Sequence, residues 1–423
     1  MKNFLDENFI SGNLNEQRKM IANICADSPM FNVITQKIHN RYLEDREGHW
    51  LADFATQSYL GFDFRPEVIN AAIEATQKYG TVVPWCRLVA TIDIFEEVET
   101  QVANLVGSES CNIFASTTLL NHGVIPAFAG RDGAIFLDKS GHATMYEGAK
   151  MARDSGCKLI SFPSNDMNAL EDVLKKNAGI QRKIILTDGV YSMTGEYADL
   201  KTMDTLAKKY GALLFVDDAH GFGVVGELPS SHEPYGLKGN GLNRYFDIDF
   251  DNAVYVGCFS KAYGTFGSFI ACSERMRQFL LSQATPHDLG GHGPASAMSA
   301  LTAGLKINQK EGGALRIKIW NLTSKVVKGL ETLGYKVNNK AGFPIISVWL
   351  GRSDDMIEIS KLLYSDHILL TLSPYPMVKH GEEALRITVT ATNTEQEIDQ
   401  LLKAFANLKV FLDEKGYNFE ESF

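Results

Sequence analysis

From residue 111 onward, short apolar runs rich in β-branched and aromatic side chains alternate with longer stretches of helical period. A parallel sheet with crossover helices produces that rhythm, because its strands are buried on both faces and its helices on one. The runs predict strands at CNIFA (111–115), AIFLD (134–138), KLISF (158–162), KIILTD (183–188), ALLFVD (212–217), AVYVG (253–257) and FGSFIA (266–271). TMYEGAKMARDS (144–155) and LKTMDTLAKKYG (200–211) predict helices between them, the second closed by Gly211 as a C-cap. Over 226–251 the chain is polar and glycine-dotted, which predicts an extended loop.

After a helical stretch around 295–333 the pattern becomes strand, helix, strand, helix: FPIISVWLG (343–351), DDMIEISKLLYSD (354–366), ALRITVTA (384–391) and EQEIDQLLKAFANLKVFL (395–412). The expected fold class is α/β. A large doubly wound, mainly parallel sheet domain spans 56–295, a smaller C-terminal α/β domain spans 296–423, and 1–55 forms an N-terminal arm. No internal repeat or low-complexity tract interrupts this plan.

Composition narrows the function classes. With 423 residues, 45% apolar and 22% charged, the chain can bury a full-sized core. A formal charge of −10 gives no electrostatic reason to expect nucleic acid or an anionic membrane as partner. The six cysteines (Cys25, Cys86, Cys111, Cys157, Cys258, Cys272) are scattered without a CxxC pair, so neither a metal site nor a disulfide framework is signalled. The N-terminus is acidic and polar where a signal peptide needs an apolar stretch, and no run approaches the ~18 apolar residues of a transmembrane segment. A cytoplasmic enzyme is expected.

Four features stand at the ends of expected strands, where open α/β sheets place their ligands. FVDDAHG (215–221) delivers Asp217 to a strand's carboxyl end, with His220 three residues on. A carboxylate there can keep a ring nitrogen protonated, and its plainer reading is an Asp capping the next loop. YVGCFSKAYGTFGSF (255–269) leads from a strand to Ser260 and Lys261. A lysine leaving a buried strand can serve as a Schiff-base amine, although a lysine so placed is more often a solvated charge. CNIFASTTLLNHGVI (111–125) runs into Ser116, Thr117 and Thr118 and then an apolar helix, which makes either a phosphate seat or a plain N-cap. LTDGVYSMTGEYADL (186–200) places Asp188 and Ser192 beyond another strand.

Together these motifs resemble the fold-type I pyridoxal 5'-phosphate (PLP) enzymes, and within them the α-oxoamine synthases, a group that includes serine palmitoyltransferase and 8-amino-7-oxononanoate synthase. The similarity covers roughly residues 50 to 410. SYLGFDFRPEVINAA (58–72), the Ser-Thr-Thr turn, DKSGHATMYEGAK (138–150), TDGVYSMTGE, VDDAHGFGVVG, FSKAYGTFGSF, FPIISVWLG and LRITVTATNTEQEID (385–399) follow in the family's order. The resemblance implies that Lys261 carries the cofactor as a Schiff base, that His142 stacks on its ring and that Asp217 faces the ring nitrogen. It places Ser192 and His220 on the phenolic-oxygen side, His220 also polarising the thioester carbonyl, and Arg386 on the amino-acid carboxylate, which suits a guanidinium's bidentate fork. It further implies a homodimer that decarboxylatively condenses an amino acid with an acyl-CoA or acyl carrier protein thioester. The FSK form around Lys261 is nearest serine palmitoyltransferase, so serine or cysteate with a long acyl chain is expected. An autoinducer-type aminoketone synthase and a PLP lyase of threonine aldolase type are the alternatives.

Departures from the family pattern carry information of their own. TVVPWCRLVA (81–90) stands where small residues are usual, so Val82, Val83, Pro84 and Trp85 are expected to wall the acyl site, with Trp85 as a core residue the plainer reading. Thr117 and Thr118 replace a glycine and an aromatic, and Cys258 replaces a threonine, leaving Ser260 as an expected phosphate donor. LGGHGPAS (289–296) replaces the Ser/Thr–Pro stretch through which a partner subunit reaches the phosphate, and Gln57 or Ser58 replaces an asparagine.

Overall fold

A computed structural model describes residues 16–375 and 377–419 of the chain. Its large sheet has seven strands: β1 (Ser110–Phe114), β2 (Ala134–Asp138), β3 (Lys158–Phe162), β4 (Lys183–Asp188), β5 (Leu213–Asp217), β6 (Ala253–Cys258) and β7 (Ser268–Cys272), in the spatial order β1-β7-β6-β5-β4-β2-β3. Neighbours from β6 to β3 pair in parallel, whereas β7 runs antiparallel to both β1 and β6. Every residue of β1, β2, β4, β6 and β7 is buried, which is why these strands read as unbroken apolar runs. At the edge, β3 buries only Phe162.

Three expected strands match residue for residue, and three others shift by one. The run 266–271 begins two residues late, because Gly267 takes a φ of 124° that ends the preceding turn. Helix 200–211 is found as Leu200–Tyr210, with the Asp199 carboxylate accepting from Thr202 N at 3.1 Å and Gly211 in the left-handed region at φ 62°.

Residues 226–251 depart from the expected extended loop. The segment folds back on itself: Gly226 N donates to Tyr235 O and Gly241 N to Val225 O, both at 2.8 Å. It buries Tyr235, Asn240 and Leu242, and includes a short helix at Leu242–Tyr245. Its apolar residues follow neither strand nor helix period, so they left no pattern to read.

Contacts divide the chain into two compact units. One comprises Ser58–Ser192 and Glu196–Lys318 and holds the seven-stranded sheet. Among the described residues, the other comprises 16–57, 193–195 and 319–419. The long helix Ala295–Thr332, expected to open the C-terminal domain, therefore contributes to both. In the second unit Val337–Asn338, Ile345–Trp349, Ala384–Thr388 and Thr371–Ser373 form an antiparallel sheet in that order. Helices Met356–Ser365 and Glu395–Glu414 accompany it, the latter opened by a capping box of Thr394 and Glu397.

Of the segment 1–55, expected as an arm, residues 16–55 group with this unit, and 1–15 lie outside the described residues. Lys37–His39, Tyr42–Glu44 and Trp50–Asp53 form an antiparallel meander, Trp50–Asp53 pairs in parallel with Ile368–Leu369, and Phe54 O accepts from Thr388 N at 2.8 Å. Strands of three or four residues are too short to show an alternation.

Candidate active site

The parallel strands end along one edge, and four of the five ends deliver a polar side chain, β3 ending in Phe162. Asp138 closes β2, Asp188 closes β4, Asp217 closes β5 and Cys258 closes β6, with Asp188 and Asp217 directly opposite each other in register. All four are buried. Asp138 is committed to structure, accepting from Ser140 N, Ser164 Oγ and Tyr191 OH.

Two helices bring the remaining groups to this edge. Ser116, after β1, is the N-cap of helix α1 (Thr117–Ala129), and its hydroxyl accepts from Leu119 N at 3.3 Å. The N-cap reading of the Ser-Thr-Thr turn therefore holds for Ser116, while the first-turn amides of Thr117 and Thr118 have no intrahelical acceptor and remain suited to an anion. One turn on, Asn121 Nδ2 donates to Asp217 Oδ2 at 2.9 Å and to Thr144 Oγ1 at 3.0 Å. His142 caps helix α2 (Ala143–Asp154), its Nδ1 lying 2.9 Å from Thr144 Oγ1 and accepting from Thr144 N at 3.3 Å, while its backbone N–H donates to Asp188 Oδ1 at 3.0 Å. His142 keeps an open side toward solvent.

The electrostatics show which groups share this space. Burial lowers the His142 pKa, opposed by the Asp217 charge and reinforced by the positive charge of Lys261. Asp188 is pushed well above the carboxylate range, first by burial and then by the charge of Asp217. His142, Asp188, Asp217 and Lys261 thus act on one another. Lys261 follows β6 in a tight turn where Gly264 N donates to Lys261 O and Thr265 N to Phe259 O, both at 3.0 Å. Ser260, exposed beside it, has its hydroxyl 2.8 Å from Cys258 Sγ.

His220 is buried, and its Nδ1 lies 2.7 Å from the hydroxyl of the equally buried Tyr59. Asp218 accepts from Gly221 N, Leu242 N and Tyr255 OH at 3.1, 2.9 and 2.8 Å, so one carboxyl ties the His220 turn to the 226–251 segment. Ser192, partly buried, ends the stretch after β4. Arg386, in the second unit, is buried on the strand Ala384–Thr388, with Nη1 3.9 Å from Met193 Sδ. Trp85 enters none of these bonds. It is 49% exposed, which excludes the core reading, and its carbonyl pairs with His292 Nδ1 at 2.9 Å.

Sequence reasoning missed Tyr59, Asn121, Thr144 and Asp218 as parts of the site. Each is a single polar residue whose importance comes from a partner distant in the chain, and only their burial distinguishes them. The donor set fits PLP: an anion seat at Ser116–Thr118, an open imidazole at His142, a buried carboxylate at Asp217 and an amine at Lys261 are what a phosphate, an aromatic ring, a pyridine nitrogen and an aldehyde need. Among the described residues no helix is long and apolar enough to cross a membrane.

Comparison with known proteins agrees with this geometry. The aminotransferase class I and II family model matches residues 52–405. The 8-amino-7-oxononanoate synthase of Geobacter sulfurreducens is 31% identical over 364 residues, 86% of this chain and 90% of that protein. Among solved structures, serine palmitoyltransferase from Sphingomonas wittichii superposes with a TM-score of 0.87 at 24% identity, covering 96% of this chain and 99% of its own. The enzyme of the same name from S. paucimobilis, with bound PLP and myriocin, gives 0.86 at 23% identity over 97% and 99%.

Proposed function

Because this chain belongs to the aminotransferase class I and II family, we propose that it is a PLP-dependent α-oxoamine synthase, an acyltransferase joining an amino acid to an acyl thioester with loss of CO2 to give a 2-amino ketone. The observation that carries the reading is the clustering of Lys261 and His142 with the buried Asp217 at the carboxyl edge of a fold-type I sheet.

When bound, PLP supplies an electron sink for negative charge at the amino acid's α-carbon. The chain's own residues supply the rest. The Thr117 and Thr118 amides and the Ser116 and Ser260 hydroxyls would hold the phosphate, and His142 would offer the flat face against the ring. The Asp217 carboxylate would keep a proton at the pyridine nitrogen. Ser192 and His220 serve the phenolic oxygen, and His220, aimed by Tyr59, polarises the thioester carbonyl. Lys261 Nζ would hold the cofactor, and its amine would take the proton from the α-carbon. Arg386 holds the amino acid's carboxylate. The protein acts as a homodimer.

For the substrates, the FSK sequence at Lys261 favours serine, and cysteate is the other amino acid the reading admits. The exposed apolar stretch around Trp85 favours a long acyl chain, delivered by CoA or a carrier protein. Incubating the PLP-loaded protein with a panel of amino acids and acyl thioesters, and following CO2 and ketone by mass spectrometry, tests this. Thioester-dependent ketone formation is expected with serine or cysteate. Release of glycine and an aldehyde without thioester would overturn it in favour of a lyase.

A further inference from the structure

A continuous hydrogen-bonded chain runs from Asp217 to His142 through two residues that touch neither cofactor nor substrate in the reading above. Its links are Asp217 Oδ2 to Asn121 Nδ2 (2.9 Å), Asn121 Nδ2 to Thr144 Oγ1 (3.0 Å) and Thr144 Oγ1 to His142 Nδ1 (2.9 Å). Asn121 and Thr144 are both buried. We propose that Asn121 and Thr144 are positioning residues that hold His142 as the neutral tautomer protonated at Nε2, and that fix its ring relative to Asp217.

The direction of each bond follows from donor and acceptor capacity. The Asn121 amide presents its NH2 to the Asp217 carboxylate oxygen, and its two N–H groups serve Asp217 and Thr144. Thr144 Oγ1, already accepting, has one proton left, and that proton faces His142 Nδ1. The backbone N–H of Thr144 points at the same nitrogen from 3.3 Å. A nitrogen facing two donors is an acceptor, so the neutral ring carries its hydrogen on Nε2. The opposite assignment would set Nδ1–H against the Thr144 N–H.

Packing supports a built arrangement. The two helices approach closely at Gly148, where a Cβ would lie 2.4 Å from Asn121 O, so glycine is what lets Asn121 reach Thr144. The Asn121 side-chain carbonyl is buried without a hydrogen bond, so its orientation is kept at a cost that a mere space-filling residue would not incur. The charged groups acting on the imidazole are Asp217 and Glu147, which favour its protonation, and Lys261, which opposes it, while Asp188 takes the backbone N–H. Two donors on Nδ1 add to burial in favouring the neutral ring. A neutral imidazole stacks on a protonated pyridine ring without repulsion, and does not compete with it for the charge of Asp217.

This inference deepens the proposed site, but its test does not depend on the reaction. The PLP-loaded full chain is labelled with 15N-histidine, and the His142 signals are identified among the ten histidines by their loss in His142→Gln. Nδ1 is expected unprotonated and Nε2 protonated across neutral pH. Thr144→Val removes one donor from Nδ1, so the second tautomer should become a resolved fraction and the ring's titration should move to higher pH. Thr144→Ser, which keeps the hydroxyl, should restore both. A proton found on Nδ1 in the unsubstituted protein would overturn the proposal without any variant, as would a Thr144→Val protein with unchanged nitrogen shifts and titration. Failure of the proposed reaction would leave these signals in place, so the two ideas fail separately.

Discussion

Asp188 and Asp217 end adjacent parallel strands directly opposite each other, yet they accept from different helices: Asp188 from the backbone of His142 and Asp217 from the side chain of Asn121. Burial and its neighbour's charge push the Asp188 pKa well up.

The two asparagine substitutions should therefore differ. Asp188→Asn keeps a side-chain oxygen that can still accept from His142 N, and should change turnover by less than about tenfold. On the proposed reading Asp217→Asn removes the carboxylate that faces the ring nitrogen, and should cost at least about 10²- to 10³-fold, by analogy with deletion of other preorganised electrostatic groups. Deuterium exchange at the amino acid's α-carbon, measured on protein with verified PLP content, separates them. Equal effects would show that the strand register does not assign the roles.

Lys261→Ala should leave no cofactor that borohydride can trap on the protein, whereas the unsubstituted chain should yield one adduct, at Lys261. Peptide mapping decides. An adduct at another lysine would remove the central assignment and the reading of β6 with it.

Asp218 provides a pH signature in stability. Burial raises its pKa to about 7, against the ordinary 3.8, despite three hydrogen bonds that favour the charged form. A group whose folded pKa lies above its unfolded one adds stability that is fully present below the unfolded pKa and is lost as pH rises through the folded one. The contribution of Asp218 to stability should thus fall between about pH 4 and 7 and level off above. Thermal melts of Asp218→Asn across that range should lack this component, whatever the variant's absolute stability. An unchanged slope would assign the pH dependence to other groups.

The fold was legible where burial on both faces left a continuous run, as in Ala134–Asp138 and Lys183–Asp188, which match residue for residue; Lys158–Phe162 also matches, although at the sheet edge it buries only Phe162. It was illegible where structure depends on distant pairing. Trp50–Asp53 becomes a strand by joining Ile368–Leu369, and the 226–251 segment is held by Asp218, by Asn308 Nδ2 on Lys238 O at 2.9 Å, and by its own turns. The site divides the same way. Residues in ordered motifs, such as His142, Asp217 and Lys261, could be carried over, and the structure brings them together. Tyr59, Asn121 and Thr144 lack any local signal, because their meaning lies in hydrogen bonds spanning 161, 96 and 23 positions.

Arg386→Ala should weaken amino-acid binding far more than cofactor retention. Loss of a charge-assisted pair costs about 1.5–3 kcal/mol, roughly 10- to 100-fold in affinity. Spectral titration of the PLP-loaded variant with the amino acid reads the first effect, and equilibrium dialysis of PLP reads the second. Parallel losses would mark Arg386, buried on its strand, as structural.

Trp85 tests the acyl side, where the sequence departs most from its family. Val82, Trp85, Leu88 and Val89 are all exposed, while Val83 between them is buried and anchors the stretch. Pro84 stiffens the backbone before the indole, and His292 holds the Trp85 carbonyl. Half exposed, the indole contributes little to the core, so Trp85→Ala should change stability by about 0.5 kcal/mol or less. An alkyl chain covering that ring would be favoured by roughly 25 cal/mol for each Å2 of apolar surface removed from water. Its loss should then lower kcat/KM for long acyl thioesters by about one order of magnitude, with less effect on short ones and none on amino-acid binding. The measurement is kcat/KM across a series of acyl chain lengths, on a variant shown to melt like the parent and to hold PLP. A uniform loss at every length would assign Trp85 to something other than the alkyl chain, and an unchanged profile would remove residues 82–85 from the acyl site altogether.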